Sequence, residues 1–166
     1  MPDIRKAEVT DCQLINKMAS EVFPYTYQSI LTASQIEYMF EWMYSVDKIE
    51  KQIRENEHQY FIAYNNGEPC GYLSIEQQAD NFYHLQKIYV LPAFQGQQIG
   101  RSLFDYAIRH IKTIHPAPCL MELNVNRNNN AAITFYKKMG MEILREGDFP
   151  IGNGFFMNDY IMGIEI

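Results

Sequence analysis

The sequence predicts an α/β fold built on a mixed sheet, and three observations predict it. Helical spacing of apolar residues fills the first third of the chain, roughly residues 11 to 55. From Gln59 the period drops to two, with Asn-Gly turn chemistry at Asn65-Asn66-Gly67. A strand, glycine-containing loop, helix, strand and helix then follow in that order before two last strands.

Thr10 and Gln13 have the spacing of a capping box, and Leu14, Ile15, Met18 and Val22 repeat behind them, which predicts a helix over 11–23 ended by Pro24. Thr32 and Gln35 open a second helix with Ile36, Met39, Phe40 and Met43 on one face, and Ile49 and Ile53 mark a short third helix after Asp47. QYFIAY and CGYLSIEQ form a hairpin, and HLQKIYVL, residues 84–91, is the next strand, closed by Pro92. Ile99, Leu103, Ile108 and Ile111 set a helix over 99–112. After Pro116 and Pro118 comes the strand CLMELNV, residues 119–125, then a helix capped within Asn128–Asn130 and ended by Gly140. MEILRE and FMNDYIMGIEI are the last strands, joined by a turn-rich segment over 147–154.

With 166 residues, 47% of them hydrophobic, one ordinary domain spanning 1–166 is expected. A net charge of −6 disfavours a nucleic-acid partner, which normally meets a basic face. Cys12, Cys70 and Cys119 are far apart and form no metal-ligand pattern, so reduced buried thiols and no metal are expected. The first residues reach Asp3, Arg5 and Lys6 without an apolar stretch, and no run approaches membrane-spanning length; the expectation is a cytoplasmic protein with no membrane association.

Chemistry concentrates where the strand at 84–91 meets the next helix. Gln95-Gly96-Gln97-Gln98-Ile99-Gly100 sets successive backbone amides at a helix N-terminus, an arrangement that binds phosphate. It is neither a Walker A loop nor a GxGxxG fingerprint. Further on stands Asn129-x-x-Ala132-x-x-Phe135-Tyr136-x-x-x-Gly140, on a helix after the following strand. On these two motifs the chain resembles the GCN5-related N-acetyltransferase (GNAT) superfamily over roughly residues 3–165. YTYQSILTASQIEYMFEWMYS, HLQKIYVLPAFQGQQIG and EGDFPIGNGFFMNDYIM look more narrowly similar to PaiA-type polyamine acetyltransferases. Gln98 departs from the pattern, standing where the family usually has its first motif glycine.

The resemblance implies a mostly antiparallel sheet in which the strands at 84–91 and 119–125 splay to admit acetyl-CoA. By position, main-chain groups of Ile88, Tyr89 and Val90 would pair with the pantetheine arm, and Val90 N–H would serve the oxyanion. Gln95, Gly96, Gln97, Gln98, Ile99, Gly100 and Arg101 would hold the pyrophosphate, Asn129 the pantetheine, and Lys137 or Lys138 a CoA phosphate. Tyr136 would be the general acid, a phenol protonating the departing thiolate. The strand at 84–91 lacks the carboxylate that several relatives use as base; His84 is one candidate, and Glu122, or Glu76, acting through a water, is another. A desolvated amine also sheds its proton readily, so a dedicated base is not required.

For the acceptor, Tyr25, Tyr27, Tyr38 and Trp42 with Glu21, Glu37 and Glu41 suit an aromatic, acidic pocket for a polyamine. The expected activity is acetyl-CoA-dependent acetylation of a primary amine of a small molecule by direct attack. The alternatives are a peptide or protein Nα-acetyltransferase and a catalytically weak CoA-binding regulatory module. A homodimer is the family's expected assembly, with Phe155-Phe156-Met157 as a strand edge that could pair with its copy.

Overall fold

Seven strands form one sheet in the order β1-β2-β3-β4-β5-β7-β6, in a computed structural model that describes residues 1–166. In chain order the elements are β1 (Asp3–Lys6), α1 (Cys12–Tyr27), α2 (Ala33–Tyr44), α3 (Val46–Arg54), β2 (Gln59–Asn65), β3 (Glu68–Ala79) and β4 (Phe82–Val90). Then follow α4 (Ile99–Ile114), β5 (Leu120–Asn126), α5 (Asn130–Lys138), β6 (Glu142–Gly152) and β7 (Phe155–Glu165). Every neighbouring pair is antiparallel except β4 with β5.

Strand alternation sorts side chains onto two cores. Phe61, Ala63, Leu73 and Leu85 bury against Leu103, Phe104 and Ile111 of α4 and Ile133 of α5. Tyr60, Ile62 and Tyr72 bury on the opposite face against Ile15, Met18 and Phe23 of α1, Met39 of α2 and Ile49 of α3. Tight turns hold the hairpins: Asn66-Gly67 and Asn153-Gly154 both have positive φ at their two central residues (52° and 81°, 54° and 77°), the geometry that suits a right-twisted hairpin.

One irregularity shapes the centre. Ser74 pairs with Lys87 but Ile75 pairs with Leu85, so Gln86 is an extra residue in β4. Such a bulge bends the strand and reverses the alternation beyond it. Tyr83 and Leu85 face the α4–α5 core; past the bulge Ile88 and Val90 take that face, while Lys87 joins Tyr89 on the α1–α3 side. β4 and β5 pair only from Phe82 to His84 against Leu120 to Glu122 and diverge beyond.

Most elements match the sequence reading, and the differences have local causes. Pro24 does not end α1, which continues to Tyr27. Ser20 and Pro24 are both exposed, so the carbonyl that loses its helical partner faces water, while Tyr27 is held by Phe23 with ring centroids 4.7 Å apart. Thr10 is not the cap: it lies in a 3-10 turn, Val9–Asp11, where Glu8 N–H donates to Asp11 Oδ2 at 2.8 Å. Thr32 does cap α2, accepting from Gln35 N–H at 3.2 Å. The turn-rich segment over 147–154 is strand β6 as far as Gly152, because Pro150 is tolerated at a sheet edge. β1, four residues long, had no periodic signal. The three cysteines are free and buried. No helix is long and apolar enough to cross a membrane.

Candidate functional site

Where β4 leaves β5, its backbone edge is open. Leu91 N–H donates to Cys70 O on β3, so by alternation the N–H groups of Val90 and Ile88 point into the gap. The polar backbone of Tyr89 faces β3 instead, which corrects its expected main-chain role. What Tyr89 brings is its side chain, whose hydroxyl lies 3.1 Å from that of Tyr27.

A cavity of about 590 Å³ fills the gap between Ile88–Val90 of β4, Leu123–Val125 of β5 and the first turns of α5. Gln95, Gly96, Gly100, Asn129 and Tyr136 also line it, as sequence position implied. It continues into a second space of about 440 Å³ at the N-terminus of α4, where Gln98, Ile99, Arg101 and Lys138 are added. Gln97 and Lys137 line neither space.

The loop geometry shows why this turn is glycine-rich. Gly96 has φ +81° with nothing within 4 Å of where a Cβ would stand, and Gln98, the N-cap of α4, sits at φ 66°. That left-handed conformation explains why a glycine is favoured at this position, and Gln98 adopts it at a steric cost. Two predicted contact groups are partly spent within the protein: Gln95 Nε2 donates to Val90 O at 3.1 Å, and Asn129 Oδ1 accepts from Ala132 N–H at 3.3 Å as the cap of α5. The open β4 edge, the uncrowded Gly96 and the amides ahead of α4 together form a trough suited to an extended chain ending in a phosphate.

Tyr136 is 8% exposed, its hydroxyl opens onto the larger cavity, and burial pushes its pKa above the ordinary phenol value. Burial raises Tyr27 and Tyr89 likewise.

A third cavity, about 470 Å³, lies on the α1–α3 side and shares Tyr27, Gln86, Lys87, Tyr89 and Asn124 with the first. The two spaces therefore meet across the bulged part of β4. His84 lines this cavity, its Nε2 lying 2.9 Å from Asn124 Oδ1, while Asn124 Nδ2 donates to Asp159 Oδ2 at 3.2 Å. With Asn124 Oδ1 accepting, the His84 proton resides on Nε2, and buried Nδ1 has no partner. Asp159 is 3% exposed and burial raises its pKa, with the Asn124 hydrogen bond opposing.

Several expected residues sit elsewhere. Glu122 shares a face of β5 with Asn124 but lines none of these three cavities; its carboxylate is held by Arg145 at 2.7 and 3.2 Å. Glu76 is taken up by His58 at 2.8 Å and Gln86 at 2.8 Å. Of the aromatic group, Tyr27 and Trp42 line the third cavity, Tyr25 lines the first, and Tyr38 lines neither; its hydroxyl donates to Ile151 O at 2.7 Å. Glu21, Glu37 and Glu41 are exposed and outside the lining. Asp159, Asn124 and Lys87, which line the third cavity, were not singled out for it in the sequence, although the Asn-Asp-Tyr step within a mostly apolar last strand is a visible irregularity.

The family model for the Acetyltransferase (GNAT) family matches residues 17–141. Spermidine N(1)-acetyltransferase of Thermoplasma acidophilum is 26% identical over 145 residues, covering 85% of this chain and 88% of the relative. Peptidyl-lysine N-acetyltransferase YjaB of Salmonella typhimurium is 32% identical over 76 residues, 46% of this chain and 44% of that protein. Among solved structures, PaiA N-acetyltransferase from Thermoplasma acidophilum in complex with coenzyme A superposes with a TM-score of 0.83 at 23% identity, over 100% of this chain and 99% of that one.

Proposed function

The chain belongs to the GNAT family of acetyltransferases and uses acetyl-CoA as cosubstrate, and on that premise we propose that it acetylates a primary amine of a small molecule by direct attack. The observation that carries this reading is the meeting of the 590 Å³ and 470 Å³ cavities at Tyr27, Gln86, Lys87, Tyr89 and Asn124. One side offers a trough for a phosphate-bearing arm and the other a separate entrance for an acceptor.

Acetyl-CoA brings a thioester, whose carbonyl carbon accepts the amine's electron pair as the C–S bond breaks. The residues supply the rest. The Ile88 and Val90 N–H groups face the gap where an extended arm would pair, and Val90 N–H is the donor proposed for the oxyanion. The α4 N-terminus, with Arg101 and Lys138 beside it, receives the pyrophosphate. Tyr136 gives its proton to the departing thiolate; its raised pKa keeps it protonated, and therefore able to donate, throughout the neutral range. Asp159, buried and without an ion pair, attracts the acceptor's ammonium, and His84 and Asn124 line the path by which the attacking nitrogen sheds its proton. Glu122, committed to Arg145, has no part in this scheme.

The likeness to a spermidine acetyltransferase supports a polyamine as reference acceptor. The lining charges temper it, since Lys48 and Lys87 stand against Glu57 and Asp159. The test is CoA release from acetyl-CoA across spermidine, spermine, diamines, amino acids and short peptides. Turnover on small amines bears the reading out. Preference for peptides moves the acceptor to an open groove, and binding of acetyl-CoA without turnover on any amine overturns it in favour of a regulatory module.

A further inference from the structure

Tyr60, Ser74 and Lys87 stand opposite one another across β2, β3 and β4. Ser74 is small, so the long side chains on either side lean over it and meet. Lys87 Nζ donates to the Tyr60 hydroxyl at 2.6 Å, and that hydroxyl gives its own proton to Gln52 Oε1 at 2.6 Å. A second donation reaches Met43 O at 3.4 Å, and the rings of Tyr44 and Tyr60 flank the nitrogen at 4.8 and 5.0 Å. All these partners are neutral. Lys87 is 5% exposed, makes no ion pair, and lines the acceptor cavity.

A cation buried among neutral groups is costly unless something of opposite charge arrives. The charged and titratable groups around it do not supply that charge. Lys48 of α3 has the same sign, Tyr44 and Tyr60 are phenols, Glu57 is exposed and lies 4.0 Å from Lys51, and Glu76 of β3 is already paired with His58. Burial first, and Lys48 second, bring Lys87 down to about 7. Across the cavity, Asp159 on β7 leans toward Asn124 of β5 as an equally unpaired anion.

The cavity is therefore bipolar along the sheet. Lys87 Nζ lies over β3, and the reacting amine enters where β4 parts from β5, about one and a half strand spacings away. Resting on the acetyl-transfer reading above, we infer that the acceptor is an amine carrying a carboxylate a few bonds from its nitrogen, with Asp159 on the ammonium side and Lys87 receiving the carboxylate. A diamine of the same length would set a second ammonium against Lys87 and Lys48.

The experiment compares CoA release with 5-aminopentanoate, 5-aminopentanamide, pentylamine and 1,5-diaminopentane. A charge-assisted contact predicts that kcat/KM for the acid exceeds that for the amide roughly tenfold to a hundredfold. Lys87→Met, which replaces the lone charge with an apolar chain of similar shape, abolishes this preference, read as the acid-to-amide ratio so that any general loss of turnover cancels. A readout that needs no variant is the acid-to-amide ratio against pH. The pairing needs protonated Lys87, so the ratio is highest below about 7 and falls as pH rises through it. A diamine turned over better than the acid, or a Lys87→Met enzyme that keeps the preference, overturns the inference. No turnover on any amine overturns the acetyl-transfer reading and this one with it.

Discussion

Replacing Tyr136 with Phe separates catalysis from binding. The hydroxyl opens onto the cofactor cavity and makes no hydrogen bond to another side chain, so its removal leaves no orphaned partner. The ring itself, packed at 5.4 Å from Phe135, stays in place. Folding stability should therefore change by no more than about 1 kcal/mol, since the hydroxyl is removed without leaving an unpaired partner. General acids contribute about 10²–10⁴-fold, but a thiol near pKa 8.5 is already a competent leaving group, which places the loss toward the lower end, about tenfold or somewhat more in kcat. Acetyl-CoA affinity should be nearly unchanged, because on the proposed reading backbone N–H groups of β4 and the α4 N-terminus carry the binding. Pre-steady-state release of CoA isolates the chemical step, and calorimetric titration of acetyl-CoA reports affinity. A chemical step as fast in Tyr136→Phe as in the parent removes Tyr136 from the mechanism. A loss confined to acetyl-CoA affinity makes it a packing residue.

Gln98→Gly relieves a left-handed residue at φ 66°; strain of about 1–2 kcal/mol set against the ~0.5–1 kcal/mol entropic cost of glycine predicts a melting temperature unchanged or higher by up to about 6 °C. Tighter acetyl-CoA binding in the same variant would show that the Gln98 side chain obstructs the trough, and weaker binding that it is a contact. Asp159→Asn should lower kcat/KM for the amine about tenfold or more with acetyl-CoA affinity intact, measured by CoA release and titration; unaltered kcat/KM excludes Asp159 from the acceptor site. Glu122→Gln weakens bonds of 2.7 and 3.2 Å to Arg145 and should cost about 1–2 kcal/mol in denaturant unfolding while leaving kcat unchanged; a collapse of kcat would restore Glu122 as a candidate base.

The trough beside β4 and α4 was legible because its parts are local. Gly96, Gly100 and the Asn129–Tyr136 helix lie in fixed spacing beside strands with clear periodicity, and backbone amides bind whatever side chains surround them. Gln98 was legible as a departure, and its φ supplies the reason. The cavity proposed for the acceptor was not legible, because it is assembled from α1, α2, α3, β4, β5 and β7, which no spacing relates. Composition suggested Glu37, Glu41 and Tyr38 because they neighbour Trp42 in sequence. Helix α2 turns the two acids outward, and Tyr38 goes to the β6–β7 hairpin, where its hydroxyl stands 2.6 Å from the Cβ position of Gly152. Pro24 misled for a related reason: propensity marks a stop, but packing of Tyr27 onto Phe23 and Tyr89 outweighs one missing hydrogen bond whose acceptor is already in water.

The bulge at Gln86 links these two halves. One residue more than the β3 ladder requires reverses the faces of everything after it, so Lys87 and Tyr89 point to the acceptor side while Ile88 and Val90 continue the α4–α5 core. It also bends β4 away from β5 just past His84 and Glu122, opening the edge whose amides face the cofactor cavity. Without it, alternation would put Lys87 in the apolar core beneath α4. The same insertion therefore accompanies the parting of β4 from β5 and turns a buried lysine toward the α1–α3 side, which on the proposed reading couples where the reaction occurs to which charge the acceptor carries.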